Sequence, residues 1–237
     1  MASEYLKKKY RDVKPDAPLE LTKTEKWKNW WHYYKWHVGI ALVLLAITGS
    51  IMWNTLSRAE PDYKIAYVGS SRLPEDTAAA LEAAFASLGE DLNGDGKIAA
   101  ALTQYVSDSG APDMSAAAQV SLMGDILECE SYFFLLEDPE QFQREYHSLR
   151  RLDGSLPEKG EDSLEETCLV WGSCPVLAGF DLGEYAYEWM GSTVTGSSQE
   201  LVSALYLARR GFWTEKTSAY PEGCDALWSK LTEGAVS

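Results

Sequence analysis

The sequence predicts an α/β protein: an interfacial and transmembrane helix, then one outer domain built on a mostly parallel sheet. Three observations carry this. A run without ionisable side chains, Val38–Leu56, separates a basic N-terminal stretch from an acidic remainder. Beyond it, β-rich segments alternate with helical patterns from Tyr63 to Leu136, as βαβ units do. The chain has 237 residues, 46% hydrophobic and 24% charged, the balance of a folded protein of one or two domains.

The net charge is −15, distributed as +4 over residues 1–37 and −19 over the rest. A chain so short of Lys and Arg is not built to neutralise phosphates, which excludes nucleic acid as a partner. Val38–Leu56 covers about 28 Å as a helix, close to the hydrocarbon thickness of a bilayer. A soluble core helix is the competing reading of such a run. The expected order is a cytoplasmic basic tail at 1–21, an interfacial helix at 22–37, a span at 38–56 and an acidic outer domain at 57–237.

Aromatic residues mark the two ends of the span. Trp27, Trp30, Trp31, Tyr34 and Trp36 precede it and Trp53 closes it, and amphipathic rings favour the headgroup layer. Trp27, Trp30, Trp31 and Tyr34 follow i, i+3, i+4, i+7, one stripe of a helix. Thr22 and Glu25 have capping-box spacing. Nine Lys/Arg lie before the span against Arg58, Lys64 and Arg72 soon after it, so the N-terminus is expected in the cytoplasm and the domain outside. No small-x-small cleavage site follows the run, which favours a retained signal-anchor over a cleaved signal.

Within the domain, Tyr63–Val68 reads as a strand ending at Gly69. Pro74 opens a helix whose apolar face is Leu81, Ala84, Phe85 and Leu88. Ile98–Val106 reads as extended, Met114–Cys129 as helical, and Tyr132–Leu136 as a strand covered on both faces. Helices are further expected at Asp138–Leu149, Leu182–Met190 and Pro221–Leu231. A strand is expected at Cys168–Trp171, and Leu201–Ala208 fits either type.

The most specific chemical pattern is Asp91-Leu92-Asn93-Gly94-Asp95-Gly96-Lys97-Ile98. Oxygens at alternate positions converge when glycine permits a sharp turn. Asp91, Asn93 and Asp95 would offer side-chain oxygens and Lys97 its carbonyl to a structural calcium ion. These eight residues resemble the first half of an EF-hand or dockerin loop. The twelfth position is Leu102, so Glu90, Asp108 or water would have to complete the shell. The alternative is a metal-free pair of Asx turns.

Four cysteines fall in the outer domain, where disulfides are chemically allowed. Cys168 and Cys174 are nearest in sequence and form the candidate pair; four buried thiols are the alternative. The domain has one histidine, His147, and no G-x-S-x-G, S-x-x-K or P-loop. Asp181, Glu184 and Glu188 would share one helical face. Trp171, Phe180, Tyr185, Tyr187, Trp189 and Trp213 could form a stacking surface for a sugar or a protein, or simply core.

The order basic tail, WW-x-YYKW-H, single span, PDY-x-IAYVG and DLNGDGK over residues 25–106 resembles membrane-anchored extracytoplasmic proteins of Gram-positive bacteria. The resemblance implies the same topology and a domain similar to one lobe of a solute-binding protein; it implies no activity. The function expected is that of a membrane-anchored binding or accessory subunit of an envelope complex. Its expected partners are the lipid bilayer, a membrane protein, and a small solute or glycan. The alternative from another class is an envelope hydrolase acting on glycan or peptide through carboxylates.

Overall fold

Near-continuous apolar runs in the central strands decide the architecture, because they oblige the sheet to bury both faces. A computed structural model describes residues 22–56, 60–107, 112–158, 164–189 and 191–235. The side chains of residues 51, 53–56, 112–114, 164 and 189 are likewise outside the description. The chain divides into two units, Met1–Arg58 and Ala59–Ser237.

The described part of the first unit is one continuous helix, α1 (Lys23–Leu56). Thr22 and Glu25 cap it as their spacing predicts: the Thr22 N–H and hydroxyl both donate to Glu25 Oε2 at 2.9 Å. These donors hold the Glu25 carboxyl below the usual carboxylate range. Trp27 and Trp30 stack at 5.2 Å, and Trp30 and Tyr34 at 5.6 Å. Trp27, Trp30, Trp31, Tyr34 and Trp36 are all exposed. Among the described residues, no helix is long and apolar enough to cross a membrane. The expected span extends beyond the described side chains, which take in Val38–Ser50 and Met52 but neither Ile51 nor 53–56. The Trp53 side chain and the expected tail 1–21 fall outside the description.

The second unit is a layered α/β domain. Its strands and helices in order are β1 (Tyr63–Gly69), α2 (Glu75–Leu88), β2 (Ala100–Val106), α3 (Pro112–Glu128), β3 (Phe133–Leu136) and α4 (Pro139–Tyr146). There follow α5 (Leu164–Thr167), β4 (Cys168–Val170), α6 (Pro175–Ala178), β5 (Glu184–Trp189) and β6 (Ser192–Ser197). The chain ends with α7 (Ser198–Val202), β7 (Tyr206–Arg209) and α8 (Pro221–Leu231). The main sheet has the order β2-β1-β3-β7-β4. The β1–β2 and β1–β3 pairings are parallel, and β7 is antiparallel to both β3 and β4. The sheet is therefore mixed rather than mostly parallel in its pairing. The late strand β7 inserts between two earlier ones, a non-local pairing that no local pattern reveals.

Two apolar clusters lie on opposite faces. Tyr63, Ile65, Phe133, Leu135 and Leu207 face α2, α6 and α8, meeting Leu81, Phe85, Leu177 and Leu227. Ala66, Phe134, Leu136 and Ala208 face α3 and α4, meeting Leu122 and Phe142. Phe133–Leu136 is buried at every position, which explains its unbroken apolar run. Phe85 meets Phe133 edge-on at 5.4 Å, so truncating either would cost about 3–5 kcal/mol.

Residues 182–190, expected to be helical, instead contain β5, which pairs with β6 as a separate two-stranded sheet. Tyr185 and Tyr187 alternate with Glu184, Ala186 and Glu188, a period of two. Gly191, at φ 80°, makes the turn between the strands. The stretch 201–208 divides into the end of α7 and the start of β7. All four cysteines are free and buried, so Cys168 and Cys174 are not joined. Cys168 belongs to the cluster under α3 and α4, Cys174 to the cluster on the other face.

Candidate functional site

β1, β2 and β3 all run in one direction, so their carboxyl ends meet at one edge of the sheet. The chain leaves β1 for β2 on one side through α2, then returns through α3 to β3 on the other. Open α/β sheets bind their ligands at such a reversal, in the crevice outside the carboxyl ends of the strands. A cavity of about 570 Å³ lies here, within the range of small-molecule sites.

Val68–Ser70 at the end of β1, Tyr105–Ser107 at the end of β2 and Glu137–Asp138 just after β3 all contribute to its wall. Leu122 from α3 and Phe142 and Tyr146 from α4 supply apolar surface, with the Phe142 and Tyr146 rings 5.1 Å apart. Ser70 donates its backbone N–H and hydroxyl to Glu137, at 2.5 and 3.0 Å. Asp138 caps α4 by accepting from the Gln141 N–H at 2.9 Å. Gln141 donates through its side-chain amide to Glu145 at 2.9 Å. Burial pushes the Tyr146 phenol upward, and the Glu145 carboxylate adds to the shift, so Tyr146 stays neutral and able to donate at ordinary pH.

Behind this wall, Tyr105 donates to the buried Asp125 at 2.8 Å, and burial and that bond push its phenol far upward. Asp125 also accepts from the Ser131 N–H and hydroxyl, and Arg210 stands 3.7 Å away. The network fixes the ring that lines the crevice. A second cluster joins the strands to α8: Asp225 accepts from Tyr132, Arg150 and Arg209. The Arg209 guanidinium lies 5.0 Å from the Trp228 ring centroid.

Asp91, Asn93 and Asp95 come together in one loop, yet their oxygens face backbone amides. Asp91 accepts from Gly94 and Gly96, Asn93 from Asp95, and Asp95 from Lys97, all at 2.7–2.8 Å. The buried Asp62 fastens the loop from beneath by accepting the N–H groups of Leu92, Asn93 and Ala99 at 2.8–3.0 Å. With the Lys97 carbonyl the loop offers four ligand residues, against the six to eight oxygens that calcium takes. Glu90 is engaged with Lys230 at 2.8 Å, and Asp108 lies outside the described residues. Among the described residues, no three carboxylate, imidazole or thiol groups are placed to hold a metal. The oxygens that accept from the loop's amides are the ones a cation would take, so this geometry is common to both readings.

The proposed aromatic surface is dispersed. Trp171 is fully buried, Phe180 packs against the core, Tyr185 and Tyr187 stack at 6.0 Å on the hairpin, and Trp213 is exposed. The Trp189 side chain is outside the description. Sequence reasoning missed the crevice residues Ser70, Glu137, Asp138, Glu140 and Glu145. For Glu137, Asp138 and Glu140 the readable signal was their position just past an unbroken apolar strand, with Asp138-Pro139 as a helix-opening pair. Comparison with protein-family models, curated proteins and solved structures finds no match for this chain.

Proposed function

We propose that this chain is a membrane-anchored, extracytoplasmic binding or accessory subunit of an envelope complex, whose α/β domain holds a small solute at the carboxyl ends of β1, β2 and β3. The observation that carries the binding role is the 570 Å³ crevice at the reversal of strand order. Crossovers on both faces of β2-β1-β3 support the likeness to a lobe of a solute-binding protein. The anchoring is supported by the charge-free run 38–56, by the exposed Trp/Tyr stripe of α1 and by the excess of Lys and Arg before the run.

A small-solute screen on the full chain in a maltoside detergent tests the binding role. At least one compound raises the melting temperature, and Ala118→Trp, which fills the cavity from α3, removes the effect. If no compound is sensitive to Ala118→Trp, the crevice is not the binding site. Protease added to intact cells tests the sidedness: the domain is digested and a tag at Met1 is protected. The reverse pattern overturns the proposed topology. Isolation from detergent-solubilised membranes brings down a membrane protein with the chain; recovery of the chain alone at every salt concentration removes the accessory role.

A further inference from the structure

The crevice has a chemical bias that its place in the fold does not require. Glu137, Asp138, Glu140 and Glu145 line it, and among the described lining residues there is no Lys, Arg or His. The N-terminus of α4, the usual seat of an anion in such a crevice, already holds the Asp138 carboxylate and carries Glu140 in its first turn. An anionic ligand would meet four carboxylates with no compensating charge. The uncharged wall mixes Ser70, Ser107, Gln119 and Gln141 with apolar and aromatic residues, among which Leu122, Phe142 and Tyr146 offer a surface suited to a hydrocarbon body or a cation over a ring face.

We infer that the crevice takes an organic cation, an ammonium or guanidinium group carried on an apolar stem. The inference rests on the crevice reading above and adds the ligand's charge and class. A bare metal ion suits the cavity poorly, because no three described acidic groups converge on one point. A multi-atom cation instead meets separate carboxylates with separate N–H groups while its stem lies on the rings. The excess of −19 beyond residue 37 raises the local concentration of cations at low salt. The same chemistry occurs in free polyamines and in the Lys or Arg side chain of a peptide.

Calorimetric titration of the full chain in maltoside detergent tests this with agmatine, spermidine and an acetylated, amidated Lys-Ala-Lys peptide, against glucose and glutarate. Binding is expected for at least one cation and for neither control, weakening at least tenfold between about 20 and 300 mM salt. Glu137→Gln with Glu140→Gln weakens that cation at least tenfold, and Ala118→Trp abolishes it. The free amines and the peptide separate the two sources. If a control binds as tightly as the cations, if the double variant changes affinity less than twofold, or if no cation binds at 10 mM, the cationic class is overturned. In each case the crevice reading survives where another solute remains sensitive to Ala118→Trp. Cation binding that ignores Ala118→Trp is general attraction to an acidic surface and overturns this inference, whatever the solute screen shows.

Discussion

Ser70 grips Glu137 through both its backbone N–H and its hydroxyl, at 2.5 and 3.0 Å, tying the carboxyl ends of β1 and β3 together beside the crevice. Both residues are exposed, so solvent weakens the bond to a carboxylate. Ser70→Ala removes the hydroxyl donor and leaves the backbone one, and it is expected to cost about 0.5–1 kcal/mol. Urea denaturation measures this directly. A loss above about 2 kcal/mol would show that the pair is part of the core rather than a brace at its edge.

Asp62 should make the domain acid-sensitive. Burial opposes its ionisation, but N–H groups from Ala99, Leu92 and Asn93 hold its carboxyl below the usual carboxylate range. A depressed folded-state pKa gives stability that is present above the unfolded value, about 3.9, and lost as pH falls through the folded value. Asp62→Asn keeps the acceptor for two amides and sets an NH₂ against the third, a cost of about 2 kcal/mol at pH 7. The gap between the melting temperatures of parent and variant should narrow as pH falls below about 3.9, down to the lowest pH at which the parent still folds. Parallel curves down to that pH would remove Asp62 as the acid-sensitive group.

Calcium gives a separate test of the loop at 91–97. Asp91 accepts from the Gly94 and Gly96 N–H groups, so Asp91→Ala is expected to lower stability by about 1–2 kcal/mol in calcium-free buffer. Calorimetry in EDTA and in about 5 mM calcium should give the same melting temperature, since extracellular calcium modules bind at about 10⁻⁴–10⁻³ M. A rise in calcium that Asp91→Ala abolishes would establish the loop as a cation site.

The thiols are expected to be reduced and inert in the native protein. Burial pushes Cys168 up to about 11 and, with Asp225 adding to it, Cys224 up to about 12; burial also raises Cys174. Thiolate is the reactive form, so a disulfide reagent at pH 8 should label the native chain slowly and four sites after unfolding. Two labelled sites under non-reducing conditions would reveal a bridge.

Local pattern determined much of this protein, and its limits are physical. The order β-α-β-α-β over 63–136 was readable because each segment declares itself by its own periodicity, and α8 because Pro221 opens it and Leu227 and Leu231 repeat along its buried face. The segment 184–189 misled because Asp181, Glu184 and Glu188 imitate a helical face, while the Tyr and Trp residues between them mark the strand. The insertion of β7 beside β3, the anchoring of the loop by Asp62 and the meeting of Ser70, Glu137 and Phe142 at one crevice were decided only by the tertiary structure. Each joins residues far apart in the chain, and contacts of that kind follow from how whole faces are buried, which no window of neighbouring residues contains.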